Sequence, residues 1–397
     1  MKKLASSRRA ASDPSDRLTE VLSSGRDARA RIRLLRAVED VSPIVAKRAL
    51  KRLAEVGGPD EAKRLRELLF ALDLAVIPAC VQTLIALGEE DKSRGEAVRE
   101  LSSSLNDVRL KAALVLREVA NPSSAGALRA ALRDPLANVR RVALEALARL
   151  PDDGKNLAAA LELTGDEDET VRAALVRAVV ALAANPGPTL ACFLEDPAAV
   201  VRLALARNTA SLSVGAISLL LEDGNYDVRS QTLWSLVEEP RPELADAIVA
   251  RLEDNHWAVR RAACRALGAA GTESAFRPLL CRLVDSSSIV REAALRALRE
   301  IFEDDLPLLL RSAALTEREP GLRRRIVYAI GKTARGDLAG LVEPFAADSD
   351  ADVRLAVVRV LTDRPQTNRN GILKELAKDD DLAVRQAARF LLGVPGD

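Results

Sequence analysis

Apolar side chains return along most of this chain at spacings of three, four and seven residues, which is the beat of a helix buried on one face. Taking a Val-Arg step as the origin, an aliphatic side chain lies seven residues on in nine of ten instances: Leu116, Leu147, Val179, Leu236, Leu267, Leu298, Ile330, Leu361 and Leu392. A second apolar-periodic stretch lies upstream of each step, as in residues 244–252, and ends some eight residues before Arg260. Two antiparallel helices per unit are therefore expected.

The arginine of that step recurs at Arg109, Arg140, Arg172, Arg202, Arg229, Arg260, Arg291, Arg354 and Arg385, with Leu322-Arg323 filling the vacancy. The intervals are 31, 32, 30, 27, 31, 31, 32, 31 and 31 residues. So regular a period means one helical hairpin used many times, each burying its apolar face only against its neighbours. An aspartate precedes the arginine by six residues in eight units, at Asp134, Asp166, Asp196, Asp223, Asp254, Asp285, Asp348 and Asp379. A short carboxylate there suits the turn and the N-cap of the second helix.

The run from Asp254 through Val259-Arg260 to Leu267-Gly268 resembles the HEAT repeat, in the short form of phycobilisome-lyase-type proteins. The resemblance is strong over residues 92–392 and implies an all-α, right-handed α–α superhelix of about twelve helix pairs. It also implies that the aspartates and arginines form a ladder between adjacent repeats, among them Asp134, Asp196, Asp254, Asp285, Arg140, Arg202, Arg260 and Arg291. Before Arg109 the phase survives at Val45-Ala46 and Val76-Ile77 without the arginine, and Pro78 is expected to interrupt a first turn. The expected organisation is a disordered tail over 1–14, degenerate capping repeats over 15–91 opening with a helix near 16–23, and regular repeats over 92–397.

Composition supports helices packed through small side chains: 48% of residues are apolar, aromatics are 3% and charged residues 29%. Net charge is +1, from 59 basic and 58 acidic residues, so any electrostatic recognition must come from local segregation. Cys80, Cys192, Cys264 and Cys281 lack zinc-site spacing and are expected to be buried in a reducing compartment. Without a leader-like or membrane-length apolar run, a cytoplasmic location is expected.

Candidate chemistry then narrows to the surface of the second helices. Relative to the arginine, positions two, three, six and seven belong to the core, leaving one and five outward. Position five reads Arg177, Arg207, Trp234, Arg265, Arg296, Tyr328, Arg359 and Phe390, while Arg141, Arg261 and Arg324 stand at position one. Arginine and aromatic side chains carry interface energy, so this stripe is expected to bind an acidic or phosphorylated protein segment in a concave groove. A solvated helical face paired with nearby Glu and Asp is the competing reading. Tyr226, Trp234, His256 and Trp257 crowd around the 27-residue interval, which is about one helical turn short. They are expected either to form a binding hot spot or to fill space left by a shortened first helix between Gly215 and Gly224, with a local change of curvature.

One histidine and no Gly-x-Ser-x-Gly motif or phosphate-cradling loop argue against an enzyme, and no cofactor or metal is expected. Acidic clusters at 166–169, 304–305 and 379–381 are read as turn caps rather than Ca²⁺ sites. Two other classes remain as alternatives: a nucleic-acid-binding protein related to HEAT-like alkylpurine DNA glycosylases, disfavoured by the near-zero net charge, and a bilin-lyase-like subunit.

Overall fold

The computed structural model describes residues 13–22, 27–151, 154–362 and 369–394, and every regular element among them is helical. Residues 1–12 of the expected N-terminal tail lie outside the described residues. Helices pair antiparallel and stack side by side, so the fold is an all-α solenoid. No helix among the described residues is long and apolar enough to cross a membrane.

Ten second helices carry the recurring arginine. They are α1 (Asn106–Val119), α2 (Ala137–Leu147), α3 (Glu169–Leu182), α4 (Ala199–Ala206), α5 (Tyr226–Glu238), α6 (Trp257–Ala269), α7 (Ser288–Phe302), α8 (Pro320–Thr333), α9 (Ala351–Thr362) and α10 (Leu382–Leu392). The chain divides into two compact units between Ala204 and Leu205, inside the 27-residue interval. The turn missing from that interval comes from α4, which has only 8 residues, and not from the first helix that follows it, Val214–Leu221. Gly215 sits inside that first helix rather than at its border.

The core follows the spacing of the sequence. In α6, Ala262, Ala263, Ala266 and Leu267 are all fully buried. Small residues let neighbouring helices approach closely, and at Gly268 a Cβ would stand 3.0 Å from the Cα of Ala297 on α7. Gly331 of α8 faces Val360 of α9 in the same way. Within the second unit, α5, α6 and α7 pack along one another, as do α8, α9 and α10, but no comparable contact joins α7 to α8. Helix α8 is held instead by its own first helix, Leu306–Thr316, and by the turn Arg282–Val284.

In the first unit Pro78 does not interrupt its helix. It lies in the first turn of Ile77–Ala86, where the missing N–H costs no helical hydrogen bond. Helix Pro14–Leu22 opens the described chain, and its Arg17 forms an ion pair of 2.8 Å with Asp40. Cys80 and Cys264 are buried, with thiols pushed up to about 12 by burial. Cys192, by contrast, is exposed, on the 3-10 turn Ala191–Phe193 that continues the single-turn helix Gly187–Leu190.

Candidate functional site

The aspartates sit two residues further from the helices than capping requires. Each of the eight accepts the backbone N–H two residues on, at 2.8–2.9 Å, closing the turn, while the N-cap is that later residue. Asp168, Asn225 and Asp381 cap α3, α5 and α10 with their side chains. With the aspartate freed from capping, both of its oxygens can face the preceding repeat.

Seven arginines use this. Arg109, Arg140, Arg172, Arg229, Arg260, Arg323 and Arg354 each donate Nε and Nη2 to the two carboxylate oxygens of the next repeat's aspartate, at 2.7–2.9 and 2.8–3.1 Å. All ten second-helix arginines also donate Nη1 to a carbonyl of their own turn, at 2.5–3.1 Å. Every rung thus ties one turn to the next through a planar fork that matches a carboxylate. The Asp285 hydrogen bonds raise Arg260 above its ordinary value. Burial pulls Asp285 upward, but the Arg260 fork and the Ser287 N–H outweigh it and hold the carboxyl below its usual range.

This aspartate–arginine register is a repeat signature, and the chain matches the HEAT-repeat family over residues 95–180 and 214–299. Those two segments are HEAT repeats. No curated protein matches the chain. Among solved structures it is similar to yeast importin-β (Kap95p), at 13% identity over 91% of this chain and 60% of that one, with a TM-score of 0.47. It is also similar to Escherichia coli YibA, at 18% identity over 62% of this chain and 96% of that one, with a TM-score of 0.43. An engineered protein is 18% identical over 91% of this chain and 98% of that one, with a TM-score of 0.34.

One rung of the ladder is missing among the described residues. Arg291 has no carboxylate partner among the described residues, although its Nη1 still donates to the carbonyls of Asp285 and Ser286, at 2.7 and 3.1 Å. The next turn offers Glu317 in place of aspartate. Its Oε1 folds back to accept the N–H groups of Arg318 and Glu319, and its Oε2 lies 2.7 Å from Arg277. The extra methylene lets this carboxylate satisfy its own loop instead of reaching Arg291.

The outward stripe is less uniformly basic than position five alone suggests. Glu300 of α7 accepts both bonds of Arg265, at 2.8 and 2.9 Å, and one from Arg296 at 2.9 Å. Arg324 is bound to Asp352 at 2.6 Å, and in the first unit Arg141 pairs with Glu145 at 2.7 Å and Arg177 lies 3.7 Å from it. At these five positions the solvated, paired face describes the geometry. Arg207 is exposed beyond the end of α4 with no ion pair among the described residues.

The aromatics fall into two groups rather than one. Tyr226 stacks on His256 with ring centroids 3.8 Å apart, and His256 leans on Trp257 at 5.9 Å, all at the N-terminal ends of α5 and α6. Trp234, two turns into α5, instead receives the guanidinium of Arg261 at 5.3 Å from its ring. Tyr226 and Trp257 each keep about two fifths of their surface in solvent.

Around α8 the charges are not balanced in this way. Arg325 and Lys332 have no ion pair among the described residues, and Arg359 of α9 donates to the hydroxyl of Tyr328 at 3.3 Å. Arg325, Tyr328 and Lys332 line two cavities, one of about 160 Å³ shared with Arg291, Glu292 and Leu295, the other of about 470 Å³ shared with Arg324, Asp352 and Arg359. Arg325 occupies position two, which the sequence pattern assigns to the core and which is a buried alanine in α6, α7 and α9 (Ala262, Ala293, Ala356). A long charged side chain at that position cannot be buried against α7 without a partner, consistent with the loss of packing there. Among the described residues no cluster of three or more His, Cys, Asp or Glu side chains could hold a metal ion. In the acidic clusters Asp166 and Asp379 serve as rungs, and Asp304 lies 3.0 Å from Arg335.

Proposed function

We propose that this HEAT-repeat protein is a scaffold that holds an acidic protein segment against the second-helix face of its later repeats. The observation that carries this reading is the cluster of uncompensated cations about α8: Arg325, Lys332 and Arg359, set around the half-buried ring of Tyr328 in two adjoining cavities. Elsewhere on the same face the arginines Arg265, Arg296 and Arg324 are held by Glu300 and Asp352, so charge for a partner concentrates in one place. A localised patch beside an aromatic favours a short acidic segment over an extended phosphate backbone, which needs a continuous run of cations.

Retention on poly-glutamate beads tests the reading. The wild-type chain is expected to bind and to be released by moderate salt, while an Arg325→Glu/Arg359→Glu double variant is lost from the beads with its helicity intact. Reversal of Arg265 and Arg296 is expected to matter less, because Glu300 already engages both. Equal retention of the wild type and the double variant, or preferential capture by duplex DNA with a steep salt dependence, contradicts the proposal.

A further inference from the structure

The repeats themselves show what the fork of Arg291 is built to hold. At seven other rungs the same atoms of the same residue, Nε and Nη2, take both oxygens of an aspartate carboxylate. At Arg291 the backbone anchor is unchanged, with Nη1 on the carbonyls of Asp285 and Ser286, yet the carboxylate of the next turn is engaged elsewhere. The side chain is only partly exposed, and it borders the cavity of about 160 Å³ between α7 and α8.

The rest of that cavity supplies a setting for an anion. Arg325 and Lys332 come from α8, Glu292 is the one carboxylate in the lining, and Leu295 and the ring of Tyr328 provide apolar wall. Three cations against one acid leave a net positive charge in a partly desolvated recess, where an arriving carboxylate interacts more strongly than on an open helix. The volume is below the roughly 300–1,000 Å³ of small-molecule sites, which suits a side chain delivered by a peptide better than a free cofactor.

We infer that the open rung at Arg291 is a docking point for an aspartate of a protein partner, whose carboxylate completes the ladder from outside while the following apolar side chain rests against Leu295 and Tyr328. The partner aspartate stands where the turn aspartate of a regular repeat would stand, so recognition reuses the fold's own interaction. The inference rests on the proposed acidic-segment reading and assigns its anchor.

Fluorescence anisotropy with a labelled octapeptide carrying an Asp-Asp-Leu core, against its Asn-Asn-Leu counterpart, tests it at low salt. The wild-type chain is expected to prefer the Asp peptide by about tenfold or more, the scale of a bidentate charge-assisted pair. Arg291→Gln is expected to remove most of that preference, and Arg291→Lys to restore little of it, since lysine keeps the charge but not the fork. If Arg291→Gln does not fold, Arg325→Gln on the opposite wall is expected to weaken the same peptide severalfold, and an unchanged affinity there overturns the inference. Full Asp preference in Arg291→Gln or Arg291→Lys, combined with loss in Arg325→Glu/Arg359→Glu, overturns the anchor and leaves the acidic-segment face standing. No preference for the Asp peptide in the wild type overturns both.

Discussion

The interfaces on the two sides of α7 are built from the same repeat and differ in nearly every contact. On the α6 side, Arg260 grips Asp285 with two hydrogen bonds, the Asp285 side chain is 2% exposed, and Gly268 brings the helices almost into backbone contact with Ala297. On the α8 side, Arg291 grips no carboxylate, Glu317 turns back into its own loop, and Arg325 stands where the other side has alanine. A repeat therefore closes when three small conditions are met together: an aspartate at the turn, alanine or glycine on the helix flank, and a fork to join them. Where two of these are lost, a cavity lined by cations appears instead.

Breaking the closed side carries the largest expected effect. Asp285→Ala strands the Arg260 fork and removes the acceptor of the Ser287 N–H, which should cost about 1–3 kcal/mol and lower the thermal midpoint by several degrees. Calorimetry reads this, and a shift below one degree means the rung is not a structural tie. Next comes Gly268→Ala, whose Cβ would crowd Ala297 and the Glu300 Oε2 that Arg265 uses. Overpacking of this kind costs about 1–3 kcal/mol, and part of it can be relieved by movement of Glu300. A urea midpoint equal to wild type would show that α6 and α7 are not in close contact at this point.

Acid titration sharpens the comparison more gently. Asp196, Asp254, Asp285, Asp348 and Asp379 are all held below their ordinary values: burial is the larger, upward influence on the first four, and the arginine fork is the leading cause for Asp379. A carboxyl depressed in the folded state contributes stability above its unfolded value of about 3.9 and loses it as the pH falls through the folded one. Stability should therefore be flat from neutrality to about pH 5 and fall below about pH 4. Stability that stays constant to pH 3 would mean that the rungs contribute little.

How much of this was legible in the sequence depends on whether a residue recurs. Arg140, Arg260 and Asp285 announce themselves through the period, and positions three and seven after each arginine are buried as the spacing requires, apart from Leu392 in the last helix, which is half-buried. Position five was legible as outward, but its electrostatics was not. Glu300 lies beyond the repeat positions that define the stripe, and only the stacking of α6 on α7 brings it between Arg265 and Arg296. The candidate site about Arg291 was missed although its signals stand in the chain: Glu317 for aspartate, Arg325 at a core position and Lys332 about two turns further on. A periodic pattern directs attention to what repeats, whereas here the candidate chemistry lies in a unit that departs from the pattern.

The most direct test places the two arginines in one experiment. Urea unfolding of Arg260→Gln and Arg291→Gln, followed by far-UV circular dichroism, compares the closed and the open rung by the same substitution. Arg260→Gln is expected to lose about 1–3 kcal/mol more than Arg291→Gln, because it leaves the buried Asp285 with only the Ser287 N–H, whereas the Nη1 bonds to the residue's own turn are given up in both variants. Equal losses in both would show that Arg291 already holds a carboxylate within its own chain, and that there is no vacancy for a partner to fill.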